Sequence, residues 1–356
     1  MSNARLDDVV SLAKRRGFIY PSSEIYGGLA GIYDYGPLGV RLKHNIQNLW
    51  WNSFVAAWED MYPLDAAILM NKKVWEASGH ASGFNDPMVE CGNCHSRLRA
   101  DHVAGGKCPV CGKEGQLSEP KQFNMMFKTS AGPLQDENSA VYLRPETAQG
   151  MFVNFKNIVD TFYPDMPFGM AQIGKAFRNE ISPREWLFRL RELEQMEIEY
   201  FVHESEWEKH FEAWRKGMLD YFKLLGLPKD KITEVDIPEN DRAHYSKKTI
   251  DFEFDFPFGR RELAGLAYRT AYDLTKHQQE SGKNLEYKPK DGKPAFVSAA
   301  DLRGAVVAAD DPLASVLWLP FYDLVERGDS AYRRTVRNVG AESPFLAMQC
   351  ARALGP

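Results

Sequence analysis

The sequence predicts an α+β fold, an antiparallel β-sheet flanked by helices, with a small cysteine-rich insertion. Three observations predict it. Gly169–Glu180 and Leu193–Phe201 both alternate at period two, and a polar stretch with Ser182, Pro183, Arg184 and Arg189 joins them as the tip of a hairpin. Thr249–Phe256 repeats the pattern, with Phe252, Phe254 and Phe256 set against Asp251, Glu253 and Asp255, and all three runs read as neighbouring strands. Finally, four of the five cysteines form two C-x-x-C pairs, Cys91/Cys94 and Cys108/Cys111.

The helices follow in order. Leu6, Val9, Val10 and Ala13 share a face that ends in Lys14, Arg15 and Arg16, where cations suit the helix dipole and Gly17 supplies the stop. A second helix opens at Pro37 and turns Leu42, Ile46, Leu49 and Trp50 toward the core. The cysteine pairs suit a closed tetrahedral zinc site, structural because no position is left open, with Gly92 and Gly112 permitting the tight turns. His80, His95 and His102 nearby read as surface histidines. From Lys121, KQFNMMFKT, AGPLQD and YLRPETAQGMFVNF alternate strand-like runs with turn signals, and Thr147, before Met151, Phe152 and Phe155, also suits a helix N-terminus. Ser205 and Glu208 have the spacing of a capping box before Trp207, Phe211, Trp214, Met218 and Tyr221, a stripe that reads as packing.

On the hairpin, Met196, Ile198 and Tyr200 fall on one face and Gln195, Glu197 and Glu199 on the other. The first strand places Gln172, Gly174, Ala176, Arg178 and Glu180 on that same polar side. Two arginines and several carboxylates converging there suit a ligand better than bare solvent. Composition is that of a globular chain with no bilayer-length apolar run and no secretory leader, which points to the cytoplasm. A net charge of −5 excludes a uniformly basic nucleic-acid binder, although not a local basic path.

FRNE, a loop, and R-x-R-E-L-E-Q-M-E-I-E-Y-F resemble the second signature motif of class II aminoacyl-tRNA synthetases, closest to the dimeric glycyl type. YDYGPLGVRLKHNI resembles the first motif, which in that family builds the dimer interface over Tyr33–Trp51. RPETAQG resembles its amino-acid loop, and E-L-x-G-x-x-x-R from Glu262 to Arg269 a segment bordering ATP and amino acid, with Ala271 where the family usually has aspartate. The resemblance runs to about Val297. It implies a catalytic domain over 1–297 that contains a zinc ribbon at 85–120 and a helical insertion at 202–248.

The implied reaction joins glycine to ATP as glycyl-adenylate and then to tRNA(Gly), with magnesium as activator, structural zinc and a homodimer. Arg178 is expected to clamp the α-phosphate and Arg189 the outer phosphates, while Glu180 and Glu262 orient ATP or carry magnesium. Phe188 is the expected adenine platform, and Asn179, Leu190, Arg191, Glu192, Leu193 and Leu263 complete the ATP set. For glycine the expected residues are Glu146 and Glu197 at the ammonium and Gln195 as a hydrogen-bonding partner, with Arg99, Leu193, Glu194, Met196 and Arg269. After KDGKPAFV the family's third motif, E-P-S-x-G-x-x-R, and its anticodon-binding domain do not follow. Residues 298–356 read instead as a divergent helical tail, with Leu313, Val316, Leu317, Leu319 and Phe321 on a helix interrupted at Pro320. Weakened catalysis is therefore expected, and a non-catalytic tRNA- or protein-binding module or a fused fragment are the competing readings.

Overall fold

The computed structural model describes residues 6–133, 136, 139–287 and 297–302. The expected helix at Leu313–Phe321 lies outside them. Among the described residues the α-helices are α1 (Leu6–Arg15), α2 (Pro37–Trp51), α3 (Lys72–Ala77), α4 (His80–Gly83), α5 (Ala148–Phe162), α6 (Trp207–Leu224) and α7 (Tyr272–Ser281). Strands β1 (Ile19–Pro21), β2 (Tyr33–Tyr35), β3 (Met61–Pro63) and β4 (Leu69–Asn71) precede the cysteine region. That region is framed by β5 (Asn85–Glu90), β6 (Arg97–Arg99) and β7 (Lys121–Asn124), and β8 (Lys128–Ser130) and β9 (Ala140–Leu143) follow. The later strands are β10 (Phe168–Phe177), β11 (Glu192–His203), β12 (Ile232–Asp236), β13 (Lys248–Phe256), β14 (Gly259–Thr270) and β15 (Val297–Leu302).

Seven strands form the main sheet in the order β12-β13-β14-β15-β11-β10-β3. Every pair is antiparallel except β3 with β10. The expected hairpin is present, with Gln172 opposite Glu197 and Gly174 opposite Gln195. Three corrections concern this sheet. β13 is not beside the hairpin, because β14 and β15 stand between. β14 escaped the sequence reading, being nearly continuous in small and apolar residues and buried from Leu263 to Arg269, so alternation is lost. The boundary set at 297 falls on an element, since Val297–Leu302 pair with both β14 and β11.

Helices cover both faces. On one, Leu42, Ile46 and Trp50 of α2 meet Phe211, Trp214, Met218 and Tyr221 of α6 over Met196, Ile198 and Tyr200. Burying each such side chain contributes on the order of 1.5–3 kcal/mol. On the other, Met151, Phe152 and Phe155 of α5 pack with Leu274 of α7 on Phe168, Met170 and Phe201. The 202–248 segment supplies both α6 and the edge strand β12. Ser205 does not cap α6, whose N-cap Glu206 makes no side-chain cap bond. Its hydroxyl pairs instead with His203 Nδ1 at 2.8 Å. Among the described residues no helix is long and apolar enough to cross a membrane.

Candidate active site

The polar face of the hairpin is not open to water but roofed by the loop entering α5. Gln195 is 1% exposed and Glu197 fully buried, and both are held by Thr147. The Thr147 amide donates to Gln195 Oε1 at 2.9 Å, and its hydroxyl donates to Glu197 Oε2. Two residues earlier, the Pro145 carbonyl accepts from Arg178 Nε at 3.0 Å. The Pro145–Thr147 stretch therefore fixes an arginine on one side and two β11 side chains on the other.

Glu146 lies between these anchors and is 5% exposed. Gln149 Nε2 donates to its Oε1 at 3.0 Å, and His80 Nε2 stands 3.3 Å from its Oε2. The same Gln149 amide donates to Asp273 at 3.0 Å, and its oxygen accepts from His277 Nε2 at 2.8 Å. Asp273 receives Arg269 through two bonds of 2.8 and 3.0 Å. Burial works to raise the Asp273 carboxyl, but the Arg269 charge and hydrogen bonds from Arg269 and Gln149 bring it below its usual value. Burial pulls His277 down, which favours its neutral, donating form. Arg269 is itself capped by the Tyr245 ring at 3.7 Å.

Arg144 runs beneath this layer. It is 1% exposed and donates to the carbonyls of Lys175 and Ala66, each at 2.6 Å. With the Gln172 amide turned toward its donors, its oxygen accepts from Arg144 Nη1 at 2.8 Å. Burial lowers the Arg144 pKa, and the charges of Asp65 and Glu197 oppose that shift.

At the far end of β10, Glu180 is 1% exposed and lies 3.5 Å from Arg189 Nη1. Arg191 ties the tip to the N-terminal segment, donating to the carbonyls of Glu180 and Ala30. The tip is less polar than its sequence suggests. Leu187 is fully buried, and Trp186, Phe188 and Leu190 join the core. Consecutive left-handed residues, Glu185 (φ 58°) and Trp186 (φ 55°), turn the chain inward, a conformation costly for side chains with a Cβ.

The four cysteine Sγ atoms lie within 4.8 Å of one another. Cys91–Cys111 and Cys94–Cys108 are each separated by 3.7 Å. A tetrahedron with bonds of about 2.3 Å has edges of about 3.8 Å, so this donor set fits a thiophilic cation. Hydrogen bonding to the Ser96 hydroxyl and then to its amide brings the Cys94 thiol down to about 6. The Cys111 amide draws Cys108 the same way, but burial and the neighbouring thiols push it up to about 11. Gly112 is left-handed (φ 72°) as expected, but in the first knuckle that conformation belongs to His95 (φ 56°) rather than Gly92.

Residues 127–287 match the family described as tRNA synthetase class II core domain (G, H, P, S and T). The chain is 45% identical over 311 residues to the glycine–tRNA ligase of Thermobifida fusca, covering 82% of this chain and 67% of that one. It is 46% identical over 291 residues to that of Treponema denticola, covering 80% and 64%. The chain belongs to the glycine–tRNA ligase family. It spans about two thirds of the length of these curated relatives. In fold it is similar to a Giardia lamblia prolyl-tRNA synthetase in complex with prolyl-adenylate, with a TM-score of 0.60 at 14% identity over 83% of this chain and 48% of that one.

Within this glycine–tRNA ligase fold, Glu146, Arg178, Gln195 and Glu197 come together as the sequence suggested. Glu194 and Met196 do not. Adjacent β11 residues face opposite ways, so Glu194 turns to α2, where Lys43 (2.8 Å) and Gln47 (3.0 Å) hold it, and Met196 enters the core. Glu192 pairs with Lys175 at the surface. Leu190, Leu193 and Leu263 are core residues. Phe188 is 3% exposed and packs against Phe256 and Phe258, so stacking on a base would require the tip to open. Asn179 bonds Met125 through its backbone amide. Arg99 is paired with Asp86 at 2.7 Å and Asp101 at 2.8 Å, with Glu180 adding negative charge nearby. The Glu262 and Asp251 carboxylates flank Gly265, 3.3 and 3.7 Å from where its Cβ would stand.

Sequence reasoning passed over Arg144, Thr147, Gln149, Asp273 and His277, and it set His80 on the surface. Three of these are letters of RPETAQG itself, and Asp273 stands four residues after Arg269, the spacing of a helical ion pair.

Proposed function

We propose that this chain activates glycine, carrying out the adenylate-forming step of a glycine–tRNA ligase. The observation that carries the reading is the Pro145–Thr147 stretch, which holds Arg178 through one residue and Gln195 and Glu197 through another. A site for glycyl-adenylate needs a cation at the phosphate and anions at the ammonium, a short span apart. In the reaction a glycine carboxylate oxygen attacks the α-phosphorus of ATP, and the bond to the pyrophosphate oxygen breaks. No proton moves and no covalent protein intermediate forms, so the residues act by placement and charge.

Arg178 clamps the α-phosphate and Arg189 the outer phosphates, with Glu180 holding Arg189 in place. Glu146 and Glu197 receive the ammonium, and burial makes those charges strong when an amine fills the pocket. Magnesium, when bound, supplies charge neutralisation on the ATP phosphates, with Glu180 and Glu262 as its expected holders. The four cysteines hold a structural zinc, making 85–120 a zinc ribbon. Transfer to tRNA(Gly), pairing of two copies through β2 and α2, and a place in cytoplasmic protein synthesis follow from the same reading. A clean monomer by light scattering would remove the pairing.

The test is glycine-dependent ATP–pyrophosphate exchange by the purified full chain. Label should enter ATP with glycine and not with alanine or serine. A folded, metal-loaded chain that gives no exchange above background would overturn the proposal.

A further inference from the structure

The Glu146 carboxylate is gripped on both oxygens, and the second grip comes from a residue far away in sequence. His80 opens α4 directly after the left-handed Gly79 (φ 85°). Its backbone carbonyl and that of Ala81 accept from Asn124 Nδ2 at 3.3 and 3.0 Å, which anchors the turn. The ring stands edge-on to Trp75 (5.6 Å, 79°) and tilted to Phe84 (5.5 Å, 53°), which sets its plane. Ser78 Oγ lies 2.8 Å from Nδ1, and Nε2 lies 3.3 Å from Glu146 Oε2. A carboxylate accepts only, so Nε2 carries a proton toward Glu146, while Ser78 Oγ, which also reaches the Trp75 carbonyl at 3.5 Å, holds the ring at Nδ1. The Ser78–His80–Glu146 chain then points its last donor at one carboxylate oxygen while Gln149 occupies the other.

We propose that His80 is a positioning residue of the amino-acid pocket: through Nε2 it fixes the Glu146 carboxylate in the orientation that receives the substrate ammonium. This rests on the glycine-activation reading above. Two donors, one per oxygen, lock the rotamer. The carboxylate is then already oriented when the amine arrives, and little reorganisation is needed. Gln149 divides its amide between Glu146 and Asp273, and it reaches only Oε1, whereas His80 stands at Oε2. A histidine present only for packing would need neither the serine behind it nor the glutamate ahead.

The test uses calorimetry on the full chain with two non-hydrolysable adenylate analogues, one glycyl and one in which hydrogen replaces the amino group. His80→Phe keeps the aromatic contacts and removes the donor, and His80→Gln keeps a donor. His80→Phe should lose roughly five- to tenfold affinity for the glycyl analogue, the effect of losing one positioning hydrogen bond, and none for the desamino analogue. His80→Gln should recover most of that loss. Equal losses on both analogues, or a glutamine variant as weak as the phenylalanine one, would overturn the proposal. Glu146→Gln separates the two levels. If it discriminates between the analogues and His80→Phe does not, only the role of His80 fails. If it does not discriminate, or wild type binds neither analogue, the glycine reading fails and takes this proposal with it.

Discussion

Arg144 crosses β10 so closely over Gly174 that a Cβ there would stand 2.3 Å from its Nη2. The guanidinium cannot retreat, since its other nitrogens are bonded to the Lys175 and Ala66 carbonyls. Gly174→Ala should therefore destabilise the fold by about 1–3 kcal/mol, the cost of overpacking a rigid site. Urea unfolding measures it, and a change below about 0.5 kcal/mol would show that Arg144 moves freely.

Arg178 offers a second measurement. Arg178→Ala should weaken a glycyl-adenylate analogue by roughly 2–4 kcal/mol, the scale of one preorganised charge donor. Arg178→Lys should restore little, because a point charge does not reproduce the two-pronged guanidinium. Equal binding by wild type and Arg178→Ala would make this arginine purely structural, a brace for the Pro145 carbonyl.

The cysteine cluster should carry about one zinc per chain. Cys91→Ser with Cys94→Ser should abolish it, and a chelator should lower the melting temperature of wild type but not of the double variant. Well-folded protein with no zinc by elemental analysis would contradict the assignment.

Acid should act on the fold in two separate windows. Burial depresses the folded-state pKa of His277, so once pH falls below about 6.5 the unfolded chain takes a proton that the folded one refuses. Stability is thus full above that pH and declines beneath it. His210, also lowered mainly by burial, adds in the same sense. Asp273, depressed by Arg269 in spite of its burial, keeps its contribution until pH drops below about 3.8 and then loses it. His277→Gln should flatten only the upper window in melting curves taken from pH 7 to 5. An unchanged slope would show that another group governs it.

How legible this was in the sequence depended on the kind of signal each residue leaves. Strands with one polar face, such as β11 and β13, announce themselves by period two, and α2 by proline at its start and a 3.6-residue stripe. β14 left no such mark because both of its faces are buried. Glu146 and Arg178 were recognisable because their neighbours form long, specific motifs. His80 was not, since its importance comes from a contact across 65 intervening positions that no local pattern encodes. Glu194 was misplaced by treating a motif as a list of letters, whereas alternation already assigns it to the opposite face.

The central position of β15 also bears on how the chain is built. Residues 297–302 insert between β11 and β14, both of which leave the ribosome well before them. Until they arrive, two strands that belong in the middle of the sheet present bare edges, each able to recruit a strand from another nascent chain. Sheet closure is thus timed by the last described element, and a release of the polypeptide just short of residue 297 would yield an aggregation-prone, half-zipped intermediate.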